Sequence, residues 1–280
     1  MGANDTPVTV RSATLAGGSK NQDRYAHGDG WAFVVDGASS FGGTGGVHDG
    51  GWYADRLRNA LAGELAASPE GRTQHLVMKA IEAASRAHPD PQTCPTSTVA
   101  LARWTTENVE VFVLGDSTAA VVFTDDERVI CDSRIGRVGA DLREEYRARL
   151  REGQGFDDGH REILSRLQAQ QAAARNVPGG YWIAGASPEA AKEALTSSFR
   201  RDQVDSLALA TDGAATVVSR YHLCHSWQEM LRADLGSLLF NVRDIEESDP
   251  RGVKYPRSKI HDDATVVAVT LPAHHKPGCS

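Results

Sequence analysis

The sequence predicts an α+β fold in which one sheet, or two packed sheets, is flanked by helices. Strand-like runs come first, a pair of helices follows, and further strands, helices and strands complete the chain, unlike the regular alternation of a βαβ protein. The strand-like runs between residues 109 and 132 are joined by very short connections, which favours antiparallel pairing. With 280 residues, 40% of them hydrophobic, the chain can bury a sizeable core in one large domain or two small ones.

Runs rich in β-branched and aromatic residues predict strands at 31–36, 97–104, 109–115, 118–124, 128–132, 205–211 and 264–271. In the first run, WAFVVD, large apolar side chains alternate with smaller ones before the run ends on Asp36 and Gly37. We expect the three runs between 109 and 132 to form an antiparallel meander.

Helical patterns cover 50–66, 72–87, 140–152, 159–175 and 226–247. In the first of these, apolar residues recur at near-helical spacing, at Trp52, Leu57, Leu61 and Leu65. The fourth is rich in alanine and glutamine, which favour helix through their intrinsic propensity.

The bulk composition excludes several classes of function. A formal net charge of −7 argues against a nucleic-acid-binding protein, which normally carries a basic face. No stretch approaches the roughly 18 apolar residues of a membrane span, and no apolar signal region begins the sequence. The cysteines lie far apart, at Cys94, Cys131, Cys224 and Cys279. We therefore expect reduced thiols in a cytoplasmic protein, and we expect a monomer.

Aspartates occupy the ends of the apolar strands. They are Asp23 in NQDR, Asp36 after AFVV, Asp116 after VFVLG, Asp212 after LALAT, and the pair Asp262 and Asp263 before ATVVAV. Each alone is a plausible turn residue, because aspartate and glycine are common in turns. Together they indicate a cluster of carboxylates at one edge of a sheet.

Such a cluster requires positive charge, since burying unpaired carboxylates costs several kcal/mol each. Oxygen ligands without nearby histidine or cysteine select hard ions such as Mg²⁺ or Mn²⁺. Two such ions roughly 3.5–4 Å apart can share a water and lower its pKa, which suits attack on phosphorus.

The motifs also resemble those of a known family. NQDR, VVDGASS, TSTVALA, VFVLGDSTAAVV, LALATDGAATVV and DDATVVAV occur in the order found in the metal-dependent protein serine/threonine phosphatases of the PPM, or type 2C, family. The resemblance spans residues 12–271. It implies a four-layer α-β-β-α sandwich of two antiparallel sheets flanked by helical pairs. It also implies one phosphatase domain over 1–272, with a variable flap at 136–185 and a tail at 273–280.

The resemblance assigns roles to matching residues of this chain. Asp36 is expected to bridge two catalytic metals, with the Gly37 carbonyl binding one of them. Asp212 and Asp262 would complete the first metal's shell, and these two residues with Asp36 form the expected catalytic set. Asp23 resembles the ligand of the second metal, acting largely through water.

A third ion is implied by the resemblance to bacterial members of the family. Asp116, in GDS, matches the position that shares this ion with Asp212 in those members. The expected cofactors are therefore two or three Mn²⁺ or Mg²⁺ ions.

The sequence departs from the family pattern at two positions. Family members usually carry a phosphate-binding arginine where this chain has Gly18, and eukaryotic members often carry histidine where it has Ala38. If 18–20 were a strand, Lys20 would share the face of Gly18, about 6–7 Å away, and could contact the substrate phosphate. The alternative interpretation is that Lys20 is a solvated turn residue.

The expected function is hydrolysis of phosphomonoesters by a metal-bound hydroxide, with phosphoserine and phosphothreonine in proteins as substrates. One alternative is a phosphatase that acts on a small-metabolite phosphate, which the loss of the arginine at Gly18 permits. A second alternative is a catalytically silent binding module of the same fold.

Overall fold

Two antiparallel sheets form the centre of the computed structural model, which describes residues 7–38 and 48–272. The strands are β1 (Thr9–Leu15), β2 (Asp23–Gly28), β3 (Trp31–Ala38), β4 (Thr96–Ser97), β5 (Val99–Trp104), β6 (Asn108–Leu114), β7 (Thr118–Val122), β8 (Glu127–Cys131), β9 (Leu195–Arg200), β10 (Ser206–Ala210) and β11 (Ala264–Thr270). One sheet has the order β1-β11-β10-β7-β8, and the other has the order β2-β3-β5-β6-β9, with β4 paired to β3.

Eight α-helices lie among the described residues. They are α1 (Gly50–Ala67), α2 (Thr73–Ser85), α3 (Arg134–Arg137), α4 (Ala140–Arg151), α5 (Asp158–Ala174), α6 (Asp212–Ser219), α7 (Trp227–Arg232) and α8 (Leu235–Ser248), with short 3₁₀ turns at Pro188–Glu193 and Arg201–Gln203. Helices α1 and α2 pack on the second sheet, and α6 to α8 pack on the first.

Strand β3 shows how the sequence builds these layers. Successive side chains of a strand point to opposite faces of the sheet. Phe33 and Val35 accordingly pack against α1 and α2, whereas Val34 faces the apolar interior between the two sheets. The four-layer α-β-β-α sandwich expected from the sequence is therefore confirmed.

The predicted meander over 109–132 is wrong at its first connection. Strand β7 pairs with β8 as expected, but β6 belongs to the other sheet, where it pairs with β5 and β9. The chain passes from one sheet to the other at Gly115, whose φ of 82° favours glycine. A short connection therefore joined strands that face each other across the core and are not hydrogen-bonded to each other.

The helix predicted over 226–247 is divided into two. Helix α7 ends at Arg232, and the Asp234 side chain accepts a 2.8 Å hydrogen bond from the Ser237 N–H to begin α8. An aspartate that caps a new helix favours a break at this point.

The segment 136–185, the expected flap, contains α4 and α5. These two helices bury a small apolar cluster of their own, built from Leu142, Tyr146, Leu150, Ile163 and Leu167. The tail at 273–280, with Cys279, lies outside the described residues. The thiols of Cys94, Cys131 and Cys224 are free. None of the described helices is both long and apolar enough to cross a membrane.

Candidate metal centre

The site begins with a pair of aspartates on neighbouring strands. The antiparallel register of β2 and β3 places Asp23 directly opposite Asp36. Side chains in such a pair have Cβ atoms about 4.5–5.5 Å apart. Burial, followed by the charge of Asp23, raises the pKa of the Asp36 carboxyl well above its ordinary value.

The other sheet contributes two more carboxylates at the same edge. Asp212 begins α6, with only Thr211 between it and the end of β10, and Asp262 lies two residues before β11. Their charges also raise the pKa of Asp36, so all four side chains interact. We call Asp23, Asp36, Asp212 and Asp262 the aspartate cluster.

The pKa of every carboxyl group in the aspartate cluster is raised above its ordinary value. Burial, with smaller contributions from neighbouring carboxylates, raises the pKa of Asp23 to about 7. Burial and then the charge of Asp212 raise the pKa of Asp262 to about 6. Asp212 is an exposed residue, but desolvation and then the charge of Asp116 raise the pKa of its carboxyl above the ordinary value.

Asp23 has one buried carboxylate oxygen that lacks a hydrogen-bond partner among the described residues. The side chain is 3% exposed, and its Oδ2 accepts a 2.8 Å hydrogen bond from the Thr211 hydroxyl. Its Oδ1 is buried and has no hydrogen-bond partner among the described residues. A buried oxygen without a partner costs free energy, and a bound cation would satisfy it.

Asp116 lies on the connection between the two sheets. Burial raises the pKa of its carboxyl, and the charges of Asp262 and Asp132 raise it further. Asp116, Asp212 and Asp262 line one cavity of about 360 Å³. The structure therefore brings the expected third-ion position to the same cavity as two members of the aspartate cluster.

Two glycines allow backbone segments to approach closely around the site. A Cβ atom on Gly37 would lie 2.4 Å from the Gly50 carbonyl oxygen and 2.8 Å from that of Gln22. A Cβ atom on Gly213 would lie 2.0 Å from the Asp263 carbonyl oxygen. These distances are too short for the Cβ atom of any side chain, so glycine is required at Gly37 and at Gly213.

Asp263 has a structural role that sequence reasoning missed. Its carboxylate accepts hydrogen bonds from the backbone N–H groups of Gly17 (2.6 Å) and Gln22 (2.7 Å). It therefore fixes the loop that leads into Asp23. A second aspartate beside Asp262 was visible in the sequence, but nothing there indicated that it binds this loop.

Arg243 supports the same region from α8. Its guanidinium donates to the carbonyl oxygens of Ala16 (3.0 Å) and Asp262 (3.1 Å) and pairs with buried Glu246 at 2.9 Å. The backbone at Asp262 is thus tied to the helical layer.

Lys259 was also missed. Its Nζ lies 2.6 Å from Asp262 Oδ1. Desolvation lowers the pKa of this ammonium. The charges of Asp262, Asp212 and Asp36 oppose that effect and raise the pKa above its ordinary value. The lysine is therefore electrostatically part of the site.

The strand argument for Lys20 is wrong, because residues 17–20 form bends after β1 ends at Leu15. The Lys20 side chain is 78% exposed, with Nζ 3.6 Å from a carboxylate oxygen of Asp49 at the start of α1. A Cβ atom on Gly18 would meet nothing within 4 Å. The position of the family's arginine is thus open space, and Lys20 as a substrate-binding residue stays a prediction.

The residues suit divalent cations in chemistry, although they are not arranged as a finished metal site. Within residues 7–38 and 48–272, no three histidine, cysteine, aspartate or glutamate side chains form a ready ligand group. The carboxylate oxygens, the unpartnered Oδ1 of Asp23 and the mutual repulsion of the carboxylates nevertheless fit hard ions such as Mn²⁺ or Mg²⁺. The sequence-based expectation of no cysteine nearby is wrong, because Cys131 also lines the cavity of Asp116, Asp212 and Asp262.

Several solved structures are similar to this chain in fold. No family model matches the sequence, and no curated protein matches it significantly. The PPM Ser-Thr phosphatase MsPP from Mycobacterium smegmatis, solved with cacodylate, is 17% identical, with a TM-score of 0.55 over 94% of this chain and 98% of that one. The catalytic domain of the phosphatase PstP, solved with two manganese ions, is 14% identical, with a TM-score of 0.55 over 94% and 97%.

A third structure agrees with these two. The serine/threonine phosphatase Stp1 from Staphylococcus aureus is 12% identical, with a TM-score of 0.55 over 95% of this chain and 96% of that one. These similarities extend over nearly the whole of each chain. The chain therefore has the fold of the PPM-type serine/threonine phosphatases.

Proposed function

We propose that this protein is a metal-dependent phosphatase that removes phosphate from phosphoserine and phosphothreonine in proteins. The observation that carries the proposal is the aspartate cluster, in which two strands of one sheet and two strand ends of the other bring four carboxylates to one edge. A fold shared with serine/threonine phosphatases over nearly the whole chain supports the same assignment.

Each residue of the proposed site has a separate task. Asp36, at the centre of the carboxylates, would contact both catalytic cations, with the Gly37 carbonyl beside it. Asp212 and Asp262 would complete one ligand set, and Asp23 would serve the second. When bound, such cations neutralise the carboxylates and lower the pKa of water, so that a nucleophile for phosphorus forms near neutral pH.

The protein around the aspartate cluster would fix these ligands. Thr211 holds one oxygen of Asp23 and leaves the other free to bind a cation. Asp263 and Arg243 hold the backbone on either side, which would limit how far the ligands must move when a cation binds. Asp116 would take part in a third, separate site with Asp212.

The remaining proposals concern the whole chain. We propose that residues 1–272 form one phosphatase domain in which 136–185 is a flap beside the site. We also propose a cytoplasmic monomer, which the free thiols of the described cysteines support as far as the compartment is concerned.

A small-metabolite phosphatase is the second candidate. It is favoured by one observation, the open space at Gly18 where the family's arginine would bind the substrate phosphate. A silent binding module is less well supported, because such a module has no use for buried carboxylates whose pKa values are raised by burial and mutual repulsion.

Phosphate release from a panel of substrates distinguishes these functions. Phosphoserine and phosphothreonine peptides are compared with sugar and nucleotide phosphates in Mn²⁺, and Asp212→Asn provides the inactive control. Our proposal predicts that the peptides have the higher kcat/KM. Preference for a metabolite would favour the second candidate, and no release from any member of the panel would favour the binding module.

A further inference from the structure

Lys259 brings a positive charge into the aspartate cluster from a loop. It lies between α8 and β11, three residues before Asp262, and its Nζ contacts Asp262 Oδ1 at 2.6 Å. Its side chain lines the same 360 Å³ cavity as Asp116 and Asp212. No recognisable motif contains this lysine.

The charge of Lys259 acts on several carboxylates at once. It lowers the pKa of Asp36, Asp212 and Asp262 alike, against the burial that raises all three. One ammonium thus partly neutralises three of the four members of the aspartate cluster. A divalent cation bound among these carboxylates would have an electrostatic effect of the same sign.

A metal ion and Lys259 would compete for the same oxygen. Asp262 Oδ1 already accepts from Lys259 Nζ and from the Asp263 N–H at 3.0 Å. A hard cation on this oxygen would be repelled by the ammonium, whose nitrogen lies 2.6 Å from the same atom, and would compete with it for the oxygen's lone pairs. The occupied oxygen also agrees with the finding that no three described carboxylate, histidine or cysteine side chains form a ready ligand group.

Lys259 can leave the aspartate cluster without unfolding the protein. Its side chain is 63% exposed, and its contact with Asp262 is made between residues three apart in one loop, so rotation of the flexible side chain would move the ammonium into solvent. The charge is therefore tethered but displaceable.

We propose that Lys259 is a tethered cation that occupies the aspartate cluster in the metal-free protein and is displaced when a divalent cation binds. This inference rests on the metal-binding part of the proposed function. It predicts that Lys259 stabilises the metal-free protein and weakens the affinity for metal.

Calorimetric titration of the full chain with Mn²⁺ tests this competition, with thermal unfolding in EDTA as a second measurement. Lys259→Met is expected to bind Mn²⁺ at least about tenfold more tightly than the natural protein, because an opposing charge is lost from the site. In EDTA the same variant is expected to have the lower Tm, since the carboxylates are left without a counter-charge. Lys259→Arg keeps the charge and is expected to stay close to the natural affinity.

Two further variants make the comparison specific. Lys259→Gln is also neutral but keeps a polar side chain, so the result does not depend on the folding of one variant. Lys192→Met is the matched control, because Lys192 makes an i,i+3 ion pair with Glu189 on the surface and its removal changes net charge equally. This control is expected to leave Mn²⁺ affinity unchanged.

The outcomes separate this inference from the proposed function. Tighter Mn²⁺ binding by both neutral variants, but by neither Lys259→Arg nor Lys192→Met, supports the inference. Equal or weaker binding by the neutral variants overturns it and leaves the metal-dependent phosphatase intact. If the natural protein and every variant fail to bind Mn²⁺, the inference and the proposed function both fall.

Discussion

Asp23, the first residue of β2, lies directly opposite Asp36, near the end of β3. Two like charges opposite each other on neighbouring strands destabilise a sheet. Here the cost is increased by burial, since Asp23 is 3% exposed and one of its oxygens has no partner among the described residues. This pair therefore links the stability of the metal-free protein to pH.

The pKa of Asp23, raised to about 7 chiefly by burial, fixes the sign of that link. The native protein binds this proton more tightly than the unfolded chain, whose aspartates titrate near 4. Between these values the free energy of unfolding falls as pH rises, by up to about 1.4 kcal/mol per pH unit for one such group. In EDTA, Asp23→Asn should therefore gain stability relative to the natural protein as pH rises from about 5 to about 8.

Urea unfolding at several pH values measures this difference. Asp157→Asn is the control, because the hydrogen bond from the His160 N–H lowers the pKa of the exposed Asp157 carboxyl. Its difference from the natural protein should stay constant from about pH 5 to about pH 8, since both of its pKa values lie below that window. A constant difference for Asp23→Asn as well would contradict the raised pKa.

Asp116→Ala tests the proposed third ion. Asp116 lies on the connection between the sheets and is proposed to serve only the third ion, so its removal should leave two cations bound while slowing turnover. Crystals of the variant soaked in Mn²⁺ should show two strong ions. Loss of every ion would mean that Asp116 belongs to the main pair or is needed for the fold.

Gly18→Arg tests whether the absent phosphate contact can be restored. The added side chain has room, because a Cβ atom there meets nothing within 4 Å. Steady-state kinetics should show a several-fold lower KM, with Mn²⁺ affinity unchanged.

Lys20→Ala should raise KM several-fold if Lys20 contacts the substrate. If neither substitution moves KM, Lys20 is a solvated residue and the phosphate is held by other groups.

Gly213 and Gly63 should respond oppositely to alanine. At Gly213, the first residue after Asp212, an added methyl would lie 2.0 Å from the Asp263 carbonyl oxygen. Gly213→Ala should therefore lose about 1–3 kcal/mol of stability. Gly63 lies within α1 and faces open space, so Gly63→Ala should gain about 0.5–1 kcal/mol through helix propensity. Thermal unfolding of both variants measures the contrast, and equal effects would contradict the close approach at Gly213.

The sequence predicted the central strands well and the edges poorly. The strands missed were β1, β2 and β9, and each lies at an edge of its sheet. Edge strands are hydrogen-bonded on one side only and carry polar residues, so they lack the continuous apolar runs that marked the inner strands. The short helix α6 was also missed, since its residues directly follow β10 and include β-branched Val217 and Val218.

The candidate site shows a similar division. The positions of Asp36, Asp212 and Asp262 could be predicted because each lies near the end of an apolar strand. The ends of neighbouring strands lie close together in a sheet. Lys259 could not, because it lies in an irregular loop where no periodicity relates a residue to its neighbours in space. Its contact with Asp262 depends on how that loop folds.

The most direct test of the central claim is hydrolysis of an aryl phosphate with and without metal. The natural protein should be inactive in EDTA and recover fully when Mn²⁺ or Mg²⁺ is added in excess. Asp36→Ala should lose about a hundredfold or more of kcat in Mn²⁺, the largest loss for any single substitution, because Asp36 is proposed to contact both ions. Asp125→Ala, which removes an exposed carboxylate in the turn between β7 and β8, should leave the rate unchanged. Full activity of the natural protein in EDTA, or of Asp36→Ala in Mn²⁺, would contradict the account.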